Sequence, residues 1–164
     1  MIDLKVKEEI QKWLTGLNND PIFKILLKNS NLTKVQAETF LIDVLAEKIV
    51  EKKIIYEDKA KLRLIKSGVS RGAFNRTLTQ ARRNIIRSIY TVILLGYLGI
   101  FEDPRLEPYI EISNKIRAYS ERYRELWETG QVSEEQIKIL QTLQNEIEKG
   151  LSTLSKPKAL SGKS

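Results

Sequence analysis

Apolar residues recur along most of this chain at three- and four-residue spacing, and no short alternating run bounded by turn signals points to a strand. The pattern predicts an all-α, multi-helix protein. A first helix from about Ile2 to Leu17 gathers Leu4, Val6, Ile10, Trp13, Leu14 and Leu17, and Asn18-Asn19-Asp20-Pro21 stops it before a short helix from Pro21 to about Lys28. Thr33 and Gln36 form a capping box for a helix reaching about Lys53, with Val35, Phe40, Leu41, Val44, Leu45 and Ile49 as its expected buried face. Asp58 can cap a shorter helix that Gly68 would end. Ser70 can then cap a long helix to about Leu95.

After Asp103-Pro104 the pattern becomes heptad-like. Tyr109, Ile112, Ile116, Tyr119, Tyr123 and Leu126 are spaced 3, 4, 3, 4, 3, Gly130 breaks the helix, and Ser133 with Gln136 forms a second capping box. Ile137, Leu140, Leu143, Ile147, Leu151 and Leu154 supply a returning stripe, so a C-terminal αα-hairpin is expected, its remaining apolar area covered either by the body of the same chain or by the same hairpin of a second copy in a homodimer. The expected organisation is a helical domain over residues 1–103, the hairpin over 104–154, and a frayed basic tail over 155–164. The apolar run from Ile89 to Phe101 is too short to span a membrane and is expected to be a core helix, with Tyr90 and Tyr97 inside it; Trp13 and Trp127 are expected in the core as well.

Charge changes this picture. Between Glu51 and Arg87 eleven basic residues face three acidic ones, a net +8, whereas the 164-residue chain has 28 basic and 21 acidic residues, a net +7; everything else is close to −1. Such a local excess is the footprint of a polyanion-binding surface. The chain has neither cysteine nor histidine, which removes disulfides, thiolate chemistry and the commonest general base and metal ligand. Glu102 and Asp103 read as loop residues, so no catalytic pair, metal site or cofactor is expected. Lacking a signal-like N-terminus, the chain is expected in the cytoplasm, and its Lys, Glu and Ile content suits an archaeal thermophile.

Within the basic stretch, Gly68, Val69, Ser70, Arg71, Gly72, Phe74, Leu78, Ala81 and Arg82 stand in an order that resembles the helix-turn-helix of sigma-factor region 4 and its regulator relatives. The resemblance covers about residues 56–87. Ser67 stands where that family usually has a large apolar residue, and Leu64 where a small one is expected. The resemblance implies a double-stranded-DNA-binding module without the promoter-melting regions of a sigma factor. Independently, Phe74, Leu78, Ala81, Ile85 and Val92 fall on one arc of a helix and the arginines spread over the other side. Arginine and asparagine can pair bidentately with guanine and adenine, so Arg71, Asn75, Arg76 and Thr79 are the base-edge candidates. Ser70, Lys61, Lys66, Arg82, Arg83 and Arg87 are the phosphate candidates. An arginine-rich helix also fits structured RNA, and an α-helical protein-interaction adaptor working through the C-terminal arm is the further alternative.

Overall fold

The computed structural model describes residues 2–50, 53–100 and 107–154, with the side chains of 49, 50, 107–109 and 127 outside the description. Every element among these is a helix: α1 Leu4–Asn19, α2 Pro21–Lys28, α3 Lys34–Val50, α4 Tyr56–Lys61, α5 Arg71–Tyr97, α6 Glu107–Thr129 and α7 Glu134–Leu154. None is long and apolar enough to cross a membrane. The chain divides into two units, Met1–Val92 and Ile93–Ser164, and the division falls inside α5. The expected loop at 102–104 and the tail at 155–164 lie outside the described residues, as do Glu51, Lys52 and Phe101 and the side chains of Ile49, Tyr109 and Trp127.

The helix ends of the first unit follow local chemistry. The Asp20 amide donates to the carbonyls of Gly16 and Leu17, closing α1, while its carboxylate accepts from the Ile22 amide at 2.8 Å and opens α2. One buried side chain thus sets the corner between two helices. At α3 the Thr33 amide donates to Gln36 Oε1 and the Gln36 amide to Thr33 Oγ1, completing the capping box. The core joins Ile10 and Leu14 of α1, Ile42 and Ala46 of α3, Ile54, Ala60 and Leu62 around α4, and Phe74 and Leu78 of α5, with Trp13 packed at its edge.

Three expectations need correction. The most deeply buried side of α3 carries Glu38, Thr39, Ile42 and Ala46; Phe40 and Leu41 only flank the core, and Val44 is exposed. The helix is apolar over much of its circumference, so periodicity could not fix its orientation. Secondly, α4 begins after Ile55, which places Asp58 inside the helix, and ends at Leu62, well before Gly68. The cause lies far away in sequence. Glu38 accepts the amides of Leu64 and Ile65 at 2.8 and 3.0 Å and faces the buried Arg63 guanidinium at 4.0 Å, drawing this segment out of the helix. Thirdly, the apolar half of α5 is not core: Ile89, Tyr90 and Tyr97 are exposed, Tyr97 to 88%. The stripe packs through Phe74, Leu78 and Ala81, is half-buried at Ile85, and has left the core by Val92.

In the second unit α6 and α7 pack antiparallel, as two contacts show. A Cβ on Gly150 would lie 1.9 Å from Ile112 Cδ1, so the glycine admits that side chain, and Lys115 bridges Glu111 of its own helix and Glu146 of α7. Ile112, Tyr119 and Ile147 are buried, and Tyr119 stacks on Tyr123 with ring centroids 5.8 Å apart. The Ser133–Gln136 capping box opens α7.

Burial pushes the Glu38 carboxyl above its ordinary value, and the Leu64 and Ile65 amides and the Arg63 charge only partly oppose this. A raised carboxyl pKa stabilises the fold at pH below the unfolded value of about 4.5 and loses that contribution as pH rises through the folded one. Urea denaturation across this range will therefore show wild type losing stability relative to Glu38→Gln as pH rises. At neutral pH Glu38→Ala, which strips Arg63 and two amides of their partner, will cost about 3–5 kcal/mol. At Gly68, φ is +75° and nothing lies within 4 Å of an added Cβ. Gly68→Val will cost about 2 kcal/mol through the backbone alone, and Gly68→Asn distinctly less, by the same measurement.

Candidate nucleic-acid interface

Most of the acids that neutralise the basic stretch come from α3. Asp43 Oδ1 accepts from Lys59 Nζ at 2.8 Å while its Oδ2 accepts from Arg82 Nη2 at 2.6 Å, so one nearly buried carboxylate ties α4 and α5 to α3. Glu47 takes a second bond from Lys59 at 2.8 Å. Burial pulls the Lys59 ammonium down, but these two hydrogen bonds and charges outweigh it and leave its pKa raised. The same ammonium lies 5.2 Å from the centre of the Tyr56 ring. Lys61 pairs within α4 with Asp58 at 3.1 Å and Glu57 at 3.9 Å. Arg63 is buried against Glu38, with Nε and Nη2 lacking a hydrogen-bond partner.

Removal of these four cations leaves a smaller set on the surface. Lys53, Lys66, Arg71, Arg76, Arg83 and Arg87 are exposed and have no ion pair among the described residues. Three of them align. At about 100° per residue Arg76, Arg83 and Arg87 fall within some 40° of helix surface, opposite Phe74, Leu78 and Ala81, and span about 17 Å along α5. Exposed Thr79 borders this row. The 27 residues of α5 include five arginines and no carboxylate. The row follows from the fold, since burial of Phe74 and Ala81 turns the far side of the helix to solvent.

The other sequence candidates occupy different places. Ser70 caps α5, its Oγ accepting the Ala73 amide at 3.2 Å. Arg71 opens the helix and lines a recess of about 320 Å³ with Lys53, Tyr56, Lys59, Glu47 and Glu57. Lys66 is exposed in the connection to α5 with φ +51°. Asn75 is half-buried, its Oδ1 shielded and without a partner, so it does not share the outer row. Arg82 and Lys61 are held by carboxylates. No spacing in the sequence links Lys53 and Tyr56 with Arg71; the packing of Tyr56 near Phe74, with ring centroids 6.4 Å apart, brings them there.

Comparison of the chain with protein-family models, with curated proteins and with solved structures finds no match.

Arg82 and Arg83 are neighbours in sequence and unequal in structure. In titrations of labelled duplex at several salt concentrations, Arg83→Ala will weaken binding and lower the salt slope by about one. Arg82→Ala will change that slope by clearly less, since Asp43 already neutralises this guanidinium. It will instead lower the urea midpoint, because Asp43 loses one of its two partners.

Proposed function

We propose that the protein binds double-stranded DNA through the outward side of α5, with Arg76, Thr79, Arg83 and Arg87 entering or flanking the major groove and Arg71 and Lys66 supporting the backbone contact. The observation that carries this proposal is the absence of any carboxylate from a 27-residue helix whose exposed row consists of arginines. A side that served only solubility would interleave both signs at i and i+4 spacing. The neighbouring acids are already engaged with Lys59, Lys61, Arg63 and Arg82, which leaves the row unneutralised.

The chemistry fits a duplex. A helix fits the major groove, which is about 12 Å wide, and arginine forks can bond guanine edges or phosphates. Because α4 is separated from α5 by residues 62–70, α5 acts with less help from a preceding helix than the short turn of a helix-turn-helix provides. In the proposed role α5 is held instead by Phe74, Leu78 and the Asp43–Arg82 pair. A transcriptional regulator or a chromatin-like factor would each use such a surface.

Selection of bound duplexes from a random pool, followed by salt titration, tests this. Wild type is expected to bind duplex with a steep salt dependence, and Arg76→Ala/Arg83→Ala/Arg87→Ala to lower the slope by about three. Equal binding by a folded triple variant would show the row to be solvated surface only. Preferential competition by structured RNA would move the proposal to RNA.

A further inference from the structure

The second half of α5 departs from what a solvated helix requires. From Ser88 to Phe101 the sequence contains no charged residue. Ile86, Ile89, Tyr90, Val92, Ile93, Leu94, Tyr97 and Leu98 are each 53–88% exposed. A helix apolar on most sides is ordinarily buried. The residues that share one side of the helix, Ile86, Ile89, Tyr90, Ile93, Leu94 and Tyr97, present roughly 800 Å² per chain, comparable with what each partner contributes to a standard protein interface. Within the α6–α7 pair Ile112, Tyr119 and Ile147 are buried, Leu140, Leu143 and Leu151 half-buried, and Ile137 exposed.

The pattern on this surface matches itself. Ile86, Tyr90, Ile93 and Tyr97 lie within about 60° of helix surface at spacings of 4, 3 and 4, a series that is the same in both directions. Turned about a twofold axis between Thr91 and Val92, the seam sets Ile86 against Tyr97 of a second copy and Tyr90 against Ile93 of that copy. Every contact then pairs a branched aliphatic residue with an aromatic one. Arg87 lies level with the last turn of the second copy's helix, where a cation is favoured. Parallel pairing would place tyrosine on tyrosine and bring Arg83 and Arg87 close to their own copies, with like charges adjacent.

We propose that residues 86–97 of α5 form an antiparallel, twofold interface with a second copy of this chain. Isologous contact of one patch with itself is how closed dimers form. A consequence, which rests on the DNA-binding proposal while the dimer does not, is the placement of the two arginine rows. Their centres lie about 9.5 residues from the axis, so the rows stand roughly 29 Å apart, short of the ~34 Å of one duplex turn.

Sedimentation equilibrium of the full chain at high salt, where nucleic acid cannot bridge copies, reads the dimer without reference to DNA. Wild type is expected to be dimeric, and Tyr90→Glu/Ile93→Glu to weaken association at least about 100-fold with unchanged helical circular dichroism. Because the chain lacks cysteine, Tyr90→Cys and Ile93→Cys variants can be mixed under mild oxidant, and the mixed disulfide should exceed both homodisulfides. A wild type that is monomeric at about 100 μM overturns the proposal, as does a dimer that survives the glutamates, or a preference for homodisulfides. If the double glutamate variant fails to fold, the cysteine pairing decides.

Discussion

Asp43 holds Lys59 of α4 and Arg82 of α5 at once, and the placement of the arginine row depends on that carboxylate more than on any other polar group. Desolvating a lysine and an aspartate is costly unless each finds complementary charge and hydrogen bonds, and Glu47 supplies the second partner that Lys59 requires. Because Asp43 is held in place by Lys59, rotation of α5 would break the Asp43–Arg82 bond. Phe74 and Ala81 then point inward and Arg76 and Arg83 outward. Glu38, a little over one helical turn earlier on α3, fixes the segment after α4 in the same way, through two amides and Arg63.

Where a structural decision is local, the sequence shows it. The Asp20 corner, the two Ser/Thr–Gln capping boxes and the Ser70 cap each lie within three or four residues of the groups they satisfy, and the Phe74–Leu78–Ala81 stripe is set by helical period alone. Where the partner is distant, sequence reasoning fails. The basic stretch has few acids of its own, yet its cations at 59, 63 and 82 find theirs on α3, 12 to 39 residues away. With Lys61, held by Asp58 and Glu57 within α4, four of eleven charges become structural. The Ile89–Phe101 run misleads for another reason, since apolar composition states that a surface needs cover without stating whose chain supplies it.

The sequence similarity to a helix-turn-helix takes on a different meaning with the connection in view. Its matches from Arg71 onward lie on α5, whereas the two departures, Leu64 and Ser67, lie in the non-helical segment that Glu38 anchors. With a tight turn, the first helix would brace the second directly. Here Leu62 and Arg63 are buried and Gly68 reverses the chain at positive φ. Bracing comes through the core and through Asp43, so the part of the resemblance that bears on chemistry is the start of α5.

On α5 the basic and apolar lengths overlap by barely one turn, at Ile86 and Arg87. A lone copy would offer duplex only three aligned arginines, and contacts of that number give weak, salt-sensitive binding of the non-specific kind. The same copy would leave its apolar half facing water. In the proposed dimer both deficits are met by one arrangement: covering the apolar half fixes the separation of two arginine rows, and the second row then binds at the high effective concentration set by a rigid helix rather than a flexible linker. A change of even one residue in the 4-3-4 spacing would displace the seam by about 100° around the helix and uncouple the two lengths.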